Sequence, residues 1–289
     1  MNARVENNTM KFASAVGCGR DNRTVEEVRE CMKGVTIDAM FDGMDDIGPT
    51  EFSLNMFKFG PRIDGDFAPR SYKEMAKEAR PLPLLLGCQT LEFGMFAQEP
   101  LAPSIVSIYI DKESRRAFDR KALKKDIYAG GHHIRNASHY MEGYIRFWSD
   151  IFFTLPTRWR ALEAAKRSSK AYLYLFDHYP NDMHSGSVHA SEYAYILGDQ
   201  VVKFKWTAEE RKLQRELQQM IVAFVKQGKP SVSNVTWPPL SLSTKTSSNE
   251  EKLPFVRIST PHWAIDKGFY SEESHFWTNR MSRYSCRFF

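Results

Sequence analysis

Two kinds of apolar pattern alternate along the chain. Short unbroken apolar runs occur at Leu82 to Cys88 and at Ala171 to Asp177, each bounded by Pro, Gly or charged residues. A run of that length with no polar alternation predicts a strand buried on both faces, as in a parallel sheet. Between and after these runs the pattern predicts helices over Ala117 to Tyr128, His139 to Phe153 and Trp159 to Ser168, and a short polar helix over Thr24 to Arg29. The clearest helix follows Trp206, where Leu213, Leu217, Met220, Ile221, Phe224 and Val225 recur at steps of three and four. Thr207 and Glu210 form a capping box at its start, and Gly228 and Pro230 stop it. Strands alternating with helices predict an α/β layer architecture. The Ser/Thr-rich stretch Ser241 to Asn249 reads as a linker between an ordered body, residues 10–240, and a C-terminal extension, residues 250–289.

Composition narrows the class without naming a function. With 289 residues, 42% hydrophobic and 13% aromatic, the chain can bury a sizeable core as one large domain. The net charge of +5 is small for this length. The densest basic stretch, Arg115 to Lys125, also carries Asp119 and reads as a solvated helix face, so no nucleic-acid partner is expected. Met1 to Met10 is polar and no run approaches the roughly 18 apolar residues of a membrane span, so neither an export signal nor a span is expected in the chain. Yet Asn7, Asn22, Asn136 and Asn234 each begin an N-x-Ser/Thr sequon, which accepts a glycan only in the secretory pathway. Four cysteines bear on the same question. Cys18 and Cys31 close a short loop, and a bridge there would contribute about 3 kcal/mol in the loop-entropy account; a pair of reduced, partly buried thiols is the alternative. Cys88 and Cys286 are left unpaired.

Two residues occupy equivalent places after the two predicted strands. Glu92 lies just past the first, in Leu84-Leu-Leu-Gly-Cys-Gln-Thr-Leu-Glu-Phe-Gly, and His189 lies on a loop after the second, in Ser185-Gly-Ser-Val-His-Ala-Ser-Glu-Tyr. Loops after the C-terminal ends of strands are where α/β proteins gather ligands and catalytic groups. A lone histidine is more often a packing or surface residue, but an acid followed 97 residues later by a His is the second part of the order Ser, Asp/Glu, His used by α/β-hydrolases. A different reading would have His178, Asp182, His184 and His189 ligate a metal, although their spacing matches no standard site.

The same segments resemble the C-terminal half of the type-B carboxylesterase and cholinesterase family. Ala15-Val-Gly-Cys with Cys31 is similar to its small disulfide loop, and Phe59-Gly-Pro-Arg-Ile-Asp-Gly to its F-x-P-x-x-D-G segment. Leu86-Gly-Cys-Gln-Thr-Leu-Glu-Phe-Gly resembles the stretch holding the triad acid, and Gly186-Ser-Val-His-Ala-Ser-Glu-Tyr-Ala-Tyr-Ile-Leu-Gly the stretch holding the triad base. Phe224-Val-Lys-Gln-Gly-Lys-Pro followed by Trp237-Pro is similar to its F-A-x-x-G-x-P and W-P signature. The resemblance implies an α/β-hydrolase sheet, incomplete on its N-terminal side, and carboxylic-ester hydrolysis with Glu92 and His189 as acid and base and no cofactor or metal. It also implies a Cys18–Cys31 bridge and a secretory protein of the endoplasmic reticulum lumen or the extracellular space.

The departures matter as much. The family's nucleophilic serine sits in G-x-S-x-G, and no such motif occurs in this chain. Without a nucleophile there is no acyl-enzyme. The chain is therefore expected to be inactive by itself and to need an N-terminal half carrying the serine and the oxyanion glycines. Noncatalytic adhesion-type relatives are the alternative, and retention of both His189 and Glu92 speaks against them. Phe147, Trp148, Phe152 and Phe153 are candidates for an ester-pocket wall or for core.

Overall fold

The computed structural model describes residues 2–19, 22–47, 59, 61–96, 128, 137–167, 169–179, 186–198, 205–232, 235–240 and 253–280. Several sequence expectations lie outside these residues: the helix over 117–128 apart from Tyr128, the basic stretch 115–125, the linker 241–249, Asn136, Asn234 and Cys286. The chain divides into two compact units, residues 1–80 with 103–109 and residues 81–102 with 110–289, where the sequence suggested one domain.

The first unit is helical. It contains α1 (Asn2–Ala15), α2 (Val25–Lys33), α3 (Ile37–Asp46) and α4 (Tyr72–Glu78). Helix α2 starts at a capping box in which the Thr24 side chain accepts from the Glu27 amide and the Glu27 carboxylate accepts from the Thr24 amide. Ser71 and Glu74 start α4 in the same way. Cys18 and Cys31 are bridged, with their Cα atoms 5.6 Å apart, beside the buried side chains of Ala13 and Val28. So few buried apolar residues form a small core, and a crosslink restricts the unfolded chain where burial alone contributes little. Cys31→Ser is expected to lower the stability of this unit by about 3 kcal/mol, read as a denaturant-midpoint shift that the reduced wild type reproduces. An unchanged midpoint in both would show that the bridge is not what holds the loop. Asp64, in the Phe59-to-Gly65 motif, caps its own turn by accepting from the Asp66 and Ala68 amides at 3.0 and 2.8 Å. Asn7 and Asn22 are exposed on this unit.

The second unit is α/β. Strands β1 (Leu84–Gln89), β2 (Ala171–Phe176), β3 (Pro254–Ile258) and β4 (Ala264–Lys267) form one sheet in that order, the first three parallel and β4 antiparallel to β3. The two predicted strands are thus present and adjacent, in register from Leu84↔Ala171 to Gln89↔Phe176. Strand β2 shows why it reads as an unbroken apolar run. Ala171, Leu173 and Leu175 enter one buried cluster with Ala161 and Leu162, while Tyr172 and Phe176 enter another with Leu213, Leu217 and Met220. Every position therefore faces a helix layer. Residues 253–280, set apart above as an extension, instead supply β3 and β4, and Val256 and Ile258 are fully buried. They belong to the body of the sheet.

Two further helix expectations change. The helices read as separate over 139–153 and 159–168 run on without a break: α5 (Ala137–Ser149) passes through a π-helical turn (Asp150–Thr154) into α6 (Leu155–Lys166). The Leu155 amide donates to the Asp150 carbonyl across the widened turn, which accommodates Pro156 in place of a break. After α7 (Tyr193–Leu197) comes α8 (Ala208–Gln227), with the capping box Thr207/Glu210 and Gly228 in the left-handed conformation at its end, as predicted. Leu213, Leu217 and Met220 are buried, but Val225, assigned to the same stripe, is 77% exposed. Among the described residues the last helix is α9 (Ser271–His275), continued by a π turn over Phe276–Arg280. Among the described residues no helix is long and apolar enough to cross a membrane.

Candidate active site

Beyond Gln89 and Phe176 the ladder between β1 and β2 lapses, then resumes for one step. Leu91 and Val188 form a parallel bridge, with the Leu91 amide donating to the Ser187 carbonyl at 2.9 Å and the His189 amide to the Glu92 carbonyl at 3.2 Å. Glu92 and His189, 97 residues apart, thereby stand opposite each other. Glu92 opens a 3₁₀ turn (Glu92–Phe96) tied to the end of α5, where the Ser149 hydroxyl accepts from the Phe93 amide at 2.9 Å. Two glycines permit the loops to approach. A Cβ on Gly94 would lie 2.6 Å from Val188 Cγ1, and one on Gly186, at φ +138°, would lie 2.4 Å from Leu91 Cδ1.

The side chains meet as the loops do. His189 Nδ1 lies 2.7 Å from Glu92 Oε2, while Glu92 Oε1 accepts from the Gln89 amide at 2.9 Å. The Glu92 side chain is 4% exposed and that of His189 42% exposed, so a buried carboxylate holds an imidazole that reaches solvent. Burial pushes the Glu92 carboxyl above its ordinary value, and the Gln89 amide and His189 pull it back. Nδ1–H donating to that carboxylate leaves Nε2 as the nitrogen able to take up a proton.

The other candidate residues divide between the site and the core. Phe153, on the π turn, lies with its ring 4.8 Å from the His189 imidazole. Phe152 stacks on Phe93 and Trp148, while Phe147 packs against Trp148 and Trp277. Among the four aromatic candidates, Phe153 makes a ring contact with the base. His178 is not part of the site. It is buried beside Glu210, and its Nδ1 lies 3.0 Å from Thr260 Oγ1. Asp182 and His184 lie outside the described residues, among which no cluster of three metal-binding side chains occurs. Cys88 is buried and unpaired, and burial pushes its thiol well up, so it stays protonated.

Sequence reasoning passed over Glu192 and Gln89. The Gln89 side-chain amide (Nε2) donates to Glu192 Oε2, while its backbone amide serves Glu92, and burial, together with the facing Glu92 charge, raises the Glu192 carboxyl. The available signal was spacing, since Glu192 comes three residues after His189 on the same turn.

This arrangement sits in a chain with recognisable relatives. A family model for the carboxylesterase family matches residues 1–277. Gut esterase 1 of Caenorhabditis briggsae is 26% identical over 292 residues, covering 88% of this chain and 50% of that protein. Gut esterase 1 of Caenorhabditis elegans is 24% identical over 294 residues, with 88% and 51% covered. An acetylcholinesterase of Leptinotarsa decemlineata is 29% identical over 114 residues, covering 36% of this chain and 18% of that protein. The chain spans about half the length of the gut esterases it matches. With a family match across nearly its whole length and a mixed sheet flanked by helices, the chain belongs to the carboxylesterase family.

Proposed function

We propose that this chain carries the acid and base of a serine carboxylesterase, and that hydrolysis of carboxylic esters requires a serine from outside residues 1–289. The observation that carries this reading is the 2.7 Å contact between His189 Nδ1 and the buried Glu92 carboxylate, with the imidazole reaching solvent. In this role Glu92 fixes the tautomer and stabilises the imidazolium. Through Nε2, His189 takes the proton of a serine as it attacks the ester carbonyl, then returns it to the departing alkoxide. Water repeats the cycle on the acyl-enzyme. Phe153 forms part of the wall beside the base, and the bound ester is a small molecule with an apolar portion. The Cys18–Cys31 bridge and the exposed Asn7 and Asn22 sequons support maturation in the secretory pathway.

Two arms test the reading. Residues 1–289 alone are expected to show no hydrolysis of a simple aryl ester above background. Fusion behind an amino-terminal carboxylesterase segment bearing G-x-S-x-G is expected to restore hydrolysis that an organophosphorus serine reagent abolishes. Turnover by the chain alone that is lost in His189→Ala would mean a nucleophile within these residues. A folded fusion with no turnover would favour a binding role.

A further inference from the structure

Directly beneath the Glu92–His189 pair lies a second polar contact between the same two loops. Thr90 precedes Glu92 by two residues and Ser187 precedes His189 by two, with the Leu91↔Val188 bridge between. The Thr90 amide donates to Ser187 Oγ at 3.3 Å, the Ser187 amide donates to Thr90 Oγ1 at 3.1 Å, and the two hydroxyl oxygens are 3.2 Å apart. Ser187 is fully buried and gives its hydroxyl proton to the Phe176 carbonyl at the end of β2. The proton between the two hydroxyls therefore comes from Thr90 Oγ1. Every donor and acceptor in the group is consistent with the others, and shifting either loop by one residue would break the whole set.

The β1–β2 ladder ends at Gln89↔Phe176, and among the described residues the next pairing of these segments is the isolated Leu91↔Val188 bridge, so the ladder does not by itself determine where His189 arrives. We propose that Thr90 and Ser187 form a clasp that sets the register between the two loops and so places His189 Nδ1 on the Glu92 carboxylate. Both are positioning residues, one rung below the pair they align. The proposal rests on the acid–base reading of Glu92 and His189, and extends it to what brings the two together.

The test is proton NMR of the full 289-residue chain. The low-field resonance of the His189 Nδ1–H is assigned by its absence in His189→Gln and is read beside thermal unfolding. The resonance is expected in the wild type and lost in Glu92→Gln. It is also expected to disappear in Ser187→Ala and in the nearly isosteric Thr90→Val, each still unfolding cooperatively, and to survive in Thr90→Ser, which keeps the hydroxyl. Retention in both Ser187→Ala and Thr90→Val overturns the clasp while leaving the pair intact. Absence in the wild type overturns the pair and the clasp with it. Loss in Thr90→Ser, or loss of cooperative unfolding in Thr90→Val, overturns the clasp as well, because the hydroxyl would then not be acting through register.

Discussion

In the serine-complemented fusion, His189→Ala is expected to lower kcat/KM for an aryl ester by about 10⁴-fold or more, and Glu92→Gln by a loss on the order of 10³- to 10⁴-fold. The first removes the group that accepts the serine proton. The second preserves shape, but Glu92 Oε1 already accepts from the Gln89 amide, so the amide nitrogen of a glutamine would turn toward His189 Nδ1. An imidazole that accepts there must carry its proton on Nε2, and in that tautomer it cannot act as base. Because burial raises the Glu92 carboxyl, replacing it with a neutral amide is expected to leave the thermal midpoint nearly unchanged. Measuring kcat/KM and thermal unfolding on the same preparations separates chemistry from folding. A Glu92→Gln enzyme within tenfold of the parent would remove the carboxylate from the mechanism.

Asp150→Asn is expected to stabilise the protein at alkaline pH. Asp150 is 3% exposed and its carboxyl is pushed up to about 8 by burial, with Glu273 adding to the shift and the Tyr128 hydroxyl, 2.5 Å away, opposing it. The same carboxyl titrates near its ordinary value of about 4 when unfolded. Between those values the folded protein holds a proton that the unfolded chain has released, so stability falls as pH rises through this window. Above pH 8 the native state holds a buried charge whose cost an amide avoids. The gain from Asp150→Asn should be near zero at pH 4 and on the order of 5 kcal/mol at pH 9, read from denaturant midpoints. Tyr128→Phe should act oppositely. It removes the donor to Asp150 and the acceptor for Trp277 Nε1, which lies 2.9 Å from the Tyr128 oxygen, at a cost of about 1–3 kcal/mol that grows with pH. A pH-independent effect of Asp150→Asn would show that the carboxyl titrates normally in place.

Features determined by neighbours in sequence were legible before the structure. The Thr207/Glu210 capping box lies within one turn, and the run from Ala171 to Phe176 announces a strand covered on both faces. Glu92 and His189 were identifiable because each carries its local motif and follows a strand. Where legibility ended, the deciding contact came from far along the chain or from a turn of unusual width. Pro156 falls between the two helical stretches read from the sequence, His139 to Phe153 and Trp159 to Ser168, and a π turn just before it lets them join, because the loss of one donor is tolerable where the hydrogen bonds already skip a residue. Val225 fits the period of α8 but falls at the stripe's margin and points outward. The five residues of β3 read as part of an extension, since a strand so short is specified by its partner, here Tyr174 to Phe176.

The sequence by itself pointed to β1, β2, the capped helix after Trp206 and the two residues of the candidate acid–base pair, because helix periodicity, caps and strand burial are properties of adjacent positions; the Cys18–Cys31 bridge was implied by the family resemblance. Only the tertiary structure decided that Glu92 is buried while His189 reaches solvent, and that Glu192 and Phe153 stand beside them. It also decided that Thr90 and Ser187 meet beneath them, and that Asp150 lies against Tyr128. Those contacts join residues 22 to 103 positions apart, and which polar groups lose their water depends on how the layers close over them.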